Sequence, residues 1–192
     1  GWQDKDIPLA HQTLAHHGLE FHSPQGGYFV CLSNPKAHKN VATLVQAFKE
    51  WHQSIELKQA LRTHLVLIGQ GLEHFQSVEG VRVLSKLSQK EILHVLMGAQ
   101  GFMQPSAYEG FGLPPVEAAS IGRPIVASDI QPHHEGLTDL SVSNVVWVKP
   151  HDHAGWRAGM DAIAKQHVMP PDLSLRKKIL ERFAVSRLAG SM

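Results

Sequence analysis

From Tyr28 onward, short apolar runs alternate with longer stretches in which apolar residues recur every three or four positions. The short runs, rich in Val, Ile and Phe, predict β-strands near 28–33, 64–69, 81–84, 100–104, 124–128 and 145–148. The amphipathic stretches predict helices near 40–53, 56–62, 71–77, 88–98, 113–121 and 152–167, with a last one near 173–183. Such regular β-α alternation predicts an α/β, Rossmann-like layer sandwich, a parallel sheet covered by helices on both faces. Ligands of such sheets lie beyond the carboxyl ends of the strands, so chemistry is expected in the strand-to-helix loops.

Residues 1–27 break this rhythm. They mix Asp, His, Pro and Gly around one short helical pattern, Leu9 to Leu19, and end in the loop cluster Ser23-Pro-Gln-Gly-Gly27. They read as a leader or linker, and residues 28–192 as the domain.

At 192 residues, 43% of them hydrophobic, the chain has ample material for a packed core. Lys+Arg 18 against Asp+Glu 17 gives a net charge of +1, so no global field draws it to nucleic acid or to an acidic membrane. Attraction for anions must be local. No apolar stretch reaches the roughly 18 residues a membrane helix needs. The lone Cys31, inside the apolar run Tyr28–Leu32, reads as core filler and suits a reducing compartment. The 14 histidines include the pairs His16-His17 and His133-His134 and the group His151-Asp152-His153; without metal-site spacing or Cys partners, they read as solvated surface.

Four strand-to-helix loops stand out. Ser33-Asn-Pro-Lys-Ala-His-Lys-Asn40 sets Lys36, His38 and Lys39 beside the positive end of a helix with Asn40 as its expected N-cap. That placement is unfavourable unless an anion sits between them, which makes the loop a candidate phosphate clamp. Gly69-Gln70-Gly71 follows the second strand, but His74 stands where a dinucleotide fingerprint needs its third glycine, so the two glycines read as turn residues allowing close backbone approach. A nicotinamide-dependent oxidoreductase would rest on that turn alone. After the third strand, Ser88 and Glu91 form a capping-box pattern, leaving Leu84, Ser85 and Lys86 free to line a pocket.

The fourth loop is Pro105-Ser-Ala-Tyr-Glu-Gly-Phe-Gly112. Pro114-Pro115 suit the first turn of a helix and fix its start near Leu113. Glu109 then belongs to the loop and Glu117 to about the first turn of the helix, while Gly110 and Gly112 bare the backbone between them. Two carboxylates eight positions apart suit two parts of one elongated ligand.

The run Glu109-Gly-Phe-Gly-Leu-Pro-Pro-Val-Glu117, followed by Ala118-Ala119 and by Gly122-Arg-Pro-Ile-Val-Ala-Ser-Asp129, resembles the E-x7-E signature of retaining nucleotide-sugar glycosyltransferases of the two-Rossmann-domain, GT-B fold. Asn34-Pro-Lys-Ala-His-Lys-Asn40 is similar to the phosphate loop of mannosyltransferase-like members, and the likeness runs from about Tyr28 to Phe183. It implies that the chain is the C-terminal, donor-binding half of such an enzyme. The acceptor-binding N-terminal domain, and all or part of the family's final crossing helix after Arg182-Phe-Ala-Val-Ser-Arg187, would then lie outside it.

The resemblance further implies a role for each residue. Glu117 accepts hydrogen bonds from the ribose, Lys39 holds the diphosphate with amides near Gly112 and Leu113, and Glu109 faces the donor sugar. Gly110, Phe111, Asn34, Lys36, Leu84 and Lys86 line the rest of the donor site. Glu109 and Lys39 are the implied catalytic residues. Where many members have an arginine ahead of the lysine, this chain has Ser33 or Asn34, and Lys36 is the candidate substitute. The implied reaction moves a hexose, mannose favoured, from a GDP- or UDP-linked donor to a glycan or lipid-linked acceptor, with retention, no cofactor and no metal. Asp4-Lys5-Asp6 has the Asp-x-Asp form of metal-dependent transferases but precedes the first strand. The implied setting is cytoplasmic and also allows peripheral association of the full enzyme with the inner face of a membrane. This half alone is expected to be inactive, and the alternative is a nucleotide-sugar-binding or interaction module without turnover.

Overall fold

The computed structural model describes residues 3–19, 27–55, 63–110, 113–138 and 144–164. The helices expected at 56–62 and 173–183 lie outside these residues, as do Phe111 and Gly112.

Six parallel strands form one sheet: β1 (Gly27–Leu32), β2 (Thr63–Ile68), β3 (Val81–Leu84), β4 (Gly101–Gln104), β5 (Ile125–Ser128) and β6 (Val145–Val148). Their order is β3-β2-β1-β4-β5-β6, the doubly wound arrangement in which strand order reverses between β1 and β4. All six fall within a residue of their expected positions. The helices are α1 (Gln3–His16), α2 (Val41–Ser54), α3 (Gln89–Gly98), α4 (Leu113–Ser120), α5 (Gln131–Thr138) and α6 (His153–Ala164), with 3-10 turns at Ala37–Lys39 and Glu73–Ser77.

The alternation of side chains along each strand divides the core in two. In β1, Tyr28 and Val30 join a cluster with Leu14, Val95, Leu96, Val116 and Leu137, from α1, α3, α4 and α5. Phe29 and Cys31 join the opposite one, with Leu44, Phe48 and Trp51 of α2 and Trp156 and Met160 of α6. Each fully buried Leu or Phe stabilises the fold by roughly 1.5–3 kcal/mol, so strands buried on both faces need their near-continuous apolar sequence. Burial pushes the Cys31 thiol up to about 12, which keeps it a packed, unreactive group.

Three elements differ from expectation, and the first is the helix expected near 71–77, which is only the 3-10 turn Glu73–Ser77. The Leu9–Leu19 pattern overlaps a helix that starts earlier, at Gln3, and ends at His16, and its Ala10 and Leu14 are fully buried. His17 Nε2 lies 3.0 Å from Glu91, tying the end of α1 to the capping box of α3, where Ser88 and Glu91 bond reciprocally as expected. Helix α5 was not expected, because Gln131-Pro-His-His-Glu-Gly136 reads as breakers and polar residues. Pro132 is tolerated in the first turn, and Leu137 anchors the helix in the core.

Candidate functional site

The chains leaving β1 and β4 part toward opposite faces, to α2 and to α4, and open a crevice at the carboxyl edge where neighbouring strands diverge. The loop after β1 carries Lys39 at the end of a 3-10 turn, and the loop after β4 carries Glu109. They meet across the crevice. Lys39 Nζ donates to both carboxylate oxygens of Glu109, at 2.7 and 2.8 Å, and has no other partner among the described residues. The anion that the basic loop called for is thus supplied by the protein itself.

A third group fixes the carboxylate. Gln104, the last residue of β4, is 1% exposed, and its Nε2 donates to Glu109 Oε1 at 2.9 Å and to Ser106 Oγ at 3.0 Å. Burial alone would raise the Glu109 pKa, but the hydrogen bonds from Lys39 and Ser106 and the Lys39 charge outweigh it and hold the pKa below the usual carboxylate value. Glu109 is therefore an ionised acceptor at neutral pH rather than a proton donor.

Asn40 is not the N-cap expected of it. It sits in the left-handed region, φ 54°, and its side chain makes no capping bond. Instead its Nδ2 donates to the carbonyls of Pro105, at 3.0 Å, and Pro150, at 2.6 Å, while its Oδ1 accepts from Thr43 at 2.6 Å. One buried amide thus fastens the loops after β1, β4 and β6 together. His38 O accepts from Ala107 N at 2.8 Å and adds a second tie between the Lys39 and Glu109 loops. The only sequence signal for such a strut was an Asn between a basic loop and a helix, and a cap explains that equally well.

The glycine turn holds the same loop from the other side. A Cβ on Gly69, φ +151°, would lie 1.9 Å from the Ser33 carbonyl oxygen, and one on Gly71, φ +80°, would lie 2.8 Å from the Pro35 ring. These two glycines serve close backbone approach, as read from the sequence.

The other expected residues are spread along the rim. Asn34 Oδ1 accepts from Lys36 N at 3.1 Å, so its side chain shapes the turn, and Lys36 is exposed. Gly110 is exposed, with open space where a Cβ would stand. Leu113 begins α4 and is 46% exposed; close to the loop, Tyr108 is 69% exposed and faces the His38 ring edge-on. Glu117 is the fifth residue of α4, about one turn in as expected, and is exposed, though partial desolvation by neighbouring protein raises its pKa. Leu84 is 5% exposed and packs in the core, reaching the rim only through its backbone, while Lys86 is exposed at φ 61°.

The His133-His134 pair is a correction. His133 is fully buried rather than solvated, and His134 stacks on Trp147 with ring centroids 3.9 Å apart and pairs with Asp129 at 2.6 Å. Their runs of polar neighbours gave no sign that the first turn of α5 points inward.

The strand-order reversal thus brings a lysine and an ionised carboxylate together on loops tied by Asn40. The family comparison identifies the chain. The profile of glycosyl transferases group 1 matches residues 20–181. The chain belongs to that family. Among relatives, this glycosyltransferase-family chain is 29% identical over 138 residues to the O-antigen chain mannosyltransferase RfbU of Salmonella typhimurium, covering 71% of this chain and 38% of that protein. It is 32% identical over 126 residues to O-antigen chain mannosyltransferase B of Escherichia coli, covering 60% of this chain and 32% of that protein. The chain thus spans well under half the length of these relatives.

The group 1 glycosyltransferase fold is equally plain in solved structures. WaaG, a glycosyltransferase involved in lipopolysaccharide biosynthesis, superposes with a TM-score of 0.63 at 16% identity, over 88% of this chain and 44% of WaaG. A UDP-forming trehalose-phosphate synthase from Burkholderia xenovorans gives 0.63 at 13% identity, over 87% of this chain and 43% of that one. The sheet is the Rossmann-like layer of a GT-B glycosyltransferase. No described helix is long and apolar enough to cross a membrane.

Proposed function

We propose that this chain is the donor-binding half of a retaining hexosyltransferase that uses a nucleoside-diphosphate sugar, mannose favoured. The observation that carries the reading is the Lys39–Glu109 pair, set across the crevice where β1 and β4 diverge. The mannosyltransferase relatives favour mannose and an O-antigen-like glycan or lipid-linked acceptor.

Lys39 exchanges its carboxylate partner for the diphosphate, joined by amides at the start of α4. Glu109, released toward the crevice, takes the donor sugar's hydroxyls and supports the charge that develops at the anomeric carbon. Glu117, exposed on the first turns of α4, takes the ribose hydroxyls. As the glycosidic bond breaks, charge gathers on the leaving diphosphate, and losing one such preorganised donor costs on the order of 10²–10³ in rate. The chemistry needs neither metal nor cofactor. A second domain brings the acceptor, so residues 28–192 alone bind without turnover. The enzyme works at the cytoplasmic side, and its exposed Tyr108 and Leu113 are available to that domain or to a membrane-bound acceptor.

The test is calorimetric titration of the chain with GDP, UDP and ADP, alongside Glu117→Ala. Binding of one or more diphosphates, weakened at least ten-fold in the variant, supports the reading; unchanged affinity removes the ribose role from Glu117.

A further inference from the structure

His133 raises a question that the donor-site reading leaves open. It is the third residue of α5, is 0% exposed and lies 2.8 Å through Nδ1 from the Ser128 carbonyl oxygen. A carbonyl only accepts, so Nδ1 carries the proton and Nε2 is a bare acceptor. Nε2 meets no donor. Neither does Oε1 of Gln104, whose two N–H groups are already given to Glu109 and Ser106. A buried acceptor without a donor is costly, and a proton added to His133 Nε2 turns one of these two acceptors into a donor.

The charges acting on His133 are Glu109 from the loop after β4, Lys39 from the loop after β1 and His134 on its own helix. With the imidazole neutral, Lys39 and Glu109 cancel. An arriving diphosphate adds negative charge and draws Lys39 off, leaving Glu109 with the Gln104 and Ser106 bonds but without its counter-charge.

We infer that His133 takes up a proton as the diphosphate engages Lys39, its imidazolium replacing the lysine as the counter-charge of Glu109. This rests on the donor-site reading and adds to it a second, inducible cation. The proton comes from solvent and adds to Nε2, which changes from bare acceptor to donor; no covalent bond is made or broken. In the free protein burial keeps His133 below the ordinary histidine value, ahead of the opposing Ser128 carbonyl and Glu109, so the imidazole is neutral at pH 7. Binding reverses the electrostatic balance. Affinity therefore rises as pH falls through the bound-state pKa and levels off below the free-state one.

The experiment is titration of the full-length protein with GDP and with UDP near pH 7, in buffers of differing ionisation enthalpy, for wild type and His133→Asn. Asparagine keeps a donor for the Ser128 carbonyl and removes Nε2. Because the nucleotide's terminal phosphate itself titrates near pH 6, the quantity read is the difference between the two proteins. Wild type should take up on the order of half to one proton more per nucleotide. Equal counts overturn the inference while leaving the donor site standing; absence of binding by both nucleotides overturns both. Should the variant not fold, nitrogen NMR of the wild-type imidazole decides: an imidazolium with nucleotide bound supports the inference, and a persisting neutral tautomer overturns it.

Discussion

Lys39 Nζ lies 2.7 and 2.8 Å from the two carboxylate oxygens of Glu109, so the cation and the anion of the crevice begin as each other's partner. Both side chains are largely sheltered, at 19% and 11% exposed. A ligand anion must therefore compete with an internal one.

Glu109→Gln tests that competition. The variant should be less stable by about 1–3 kcal/mol at pH 7, because a sheltered lysine loses its counter-charge. The Glu109 pKa is depressed in the folded state, so this stabilisation is fully present above the ordinary carboxylate value. It fades as pH falls through the lower folded-state value, and urea melts of the two proteins from pH 7 to pH 3 should converge at the acid end. Diphosphate affinity should rise several-fold even as turnover of the full-length enzyme falls.

Asn40→Ala should cost about 2–4 kcal/mol, since it deprives the Pro105 and Pro150 carbonyls of their donor and forces alanine to φ 54°. Asn40→Gly tolerates that backbone and should recover about 1 kcal/mol of the loss. Denaturant midpoints of the pair separate strain from hydrogen bonding. Both variants should weaken diphosphate binding, because the loops bearing Lys39 and Glu109 come apart.

Glu117 should show the opposite trade. Its pKa is raised, so the carboxylate opposes folding at neutral pH and the penalty is relieved on acidification. Glu117→Gln should melt slightly higher than wild type at pH 7, with the difference vanishing at low pH. The same change should reduce nucleotide affinity about ten- to a hundred-fold, as hydrogen bonds to a charged acceptor are lost.

Gly69→Ala places a methyl group 1.9 Å from a backbone oxygen that cannot rotate away. A loss of about 3 kcal/mol or more, with displacement of the Ser33–Asn40 loop, is the expected outcome. Thermal melting reads the first, and weakened diphosphate binding with Lys39 intact reads the second.

The sequence by itself determined the sheet and where its chemistry lies. Strands buried on both faces must be short and almost wholly apolar, so β1 to β6 were readable to within a residue, and the Lys39 and Glu109 loops were readable as strand ends followed by helices. Strand order, and with it the crevice between β1 and β4, depends on pairings between residues distant along the chain, which no local pattern encodes. The same limit hid the polar assembly. Asn40 reads as a cap until Pro105 and Pro150 are seen within its reach, and His133 reads as a surface histidine until α5 folds it against Ser128. A buried polar side chain is defined by the partners folding brings to it, and those partners are set by the tertiary structure alone.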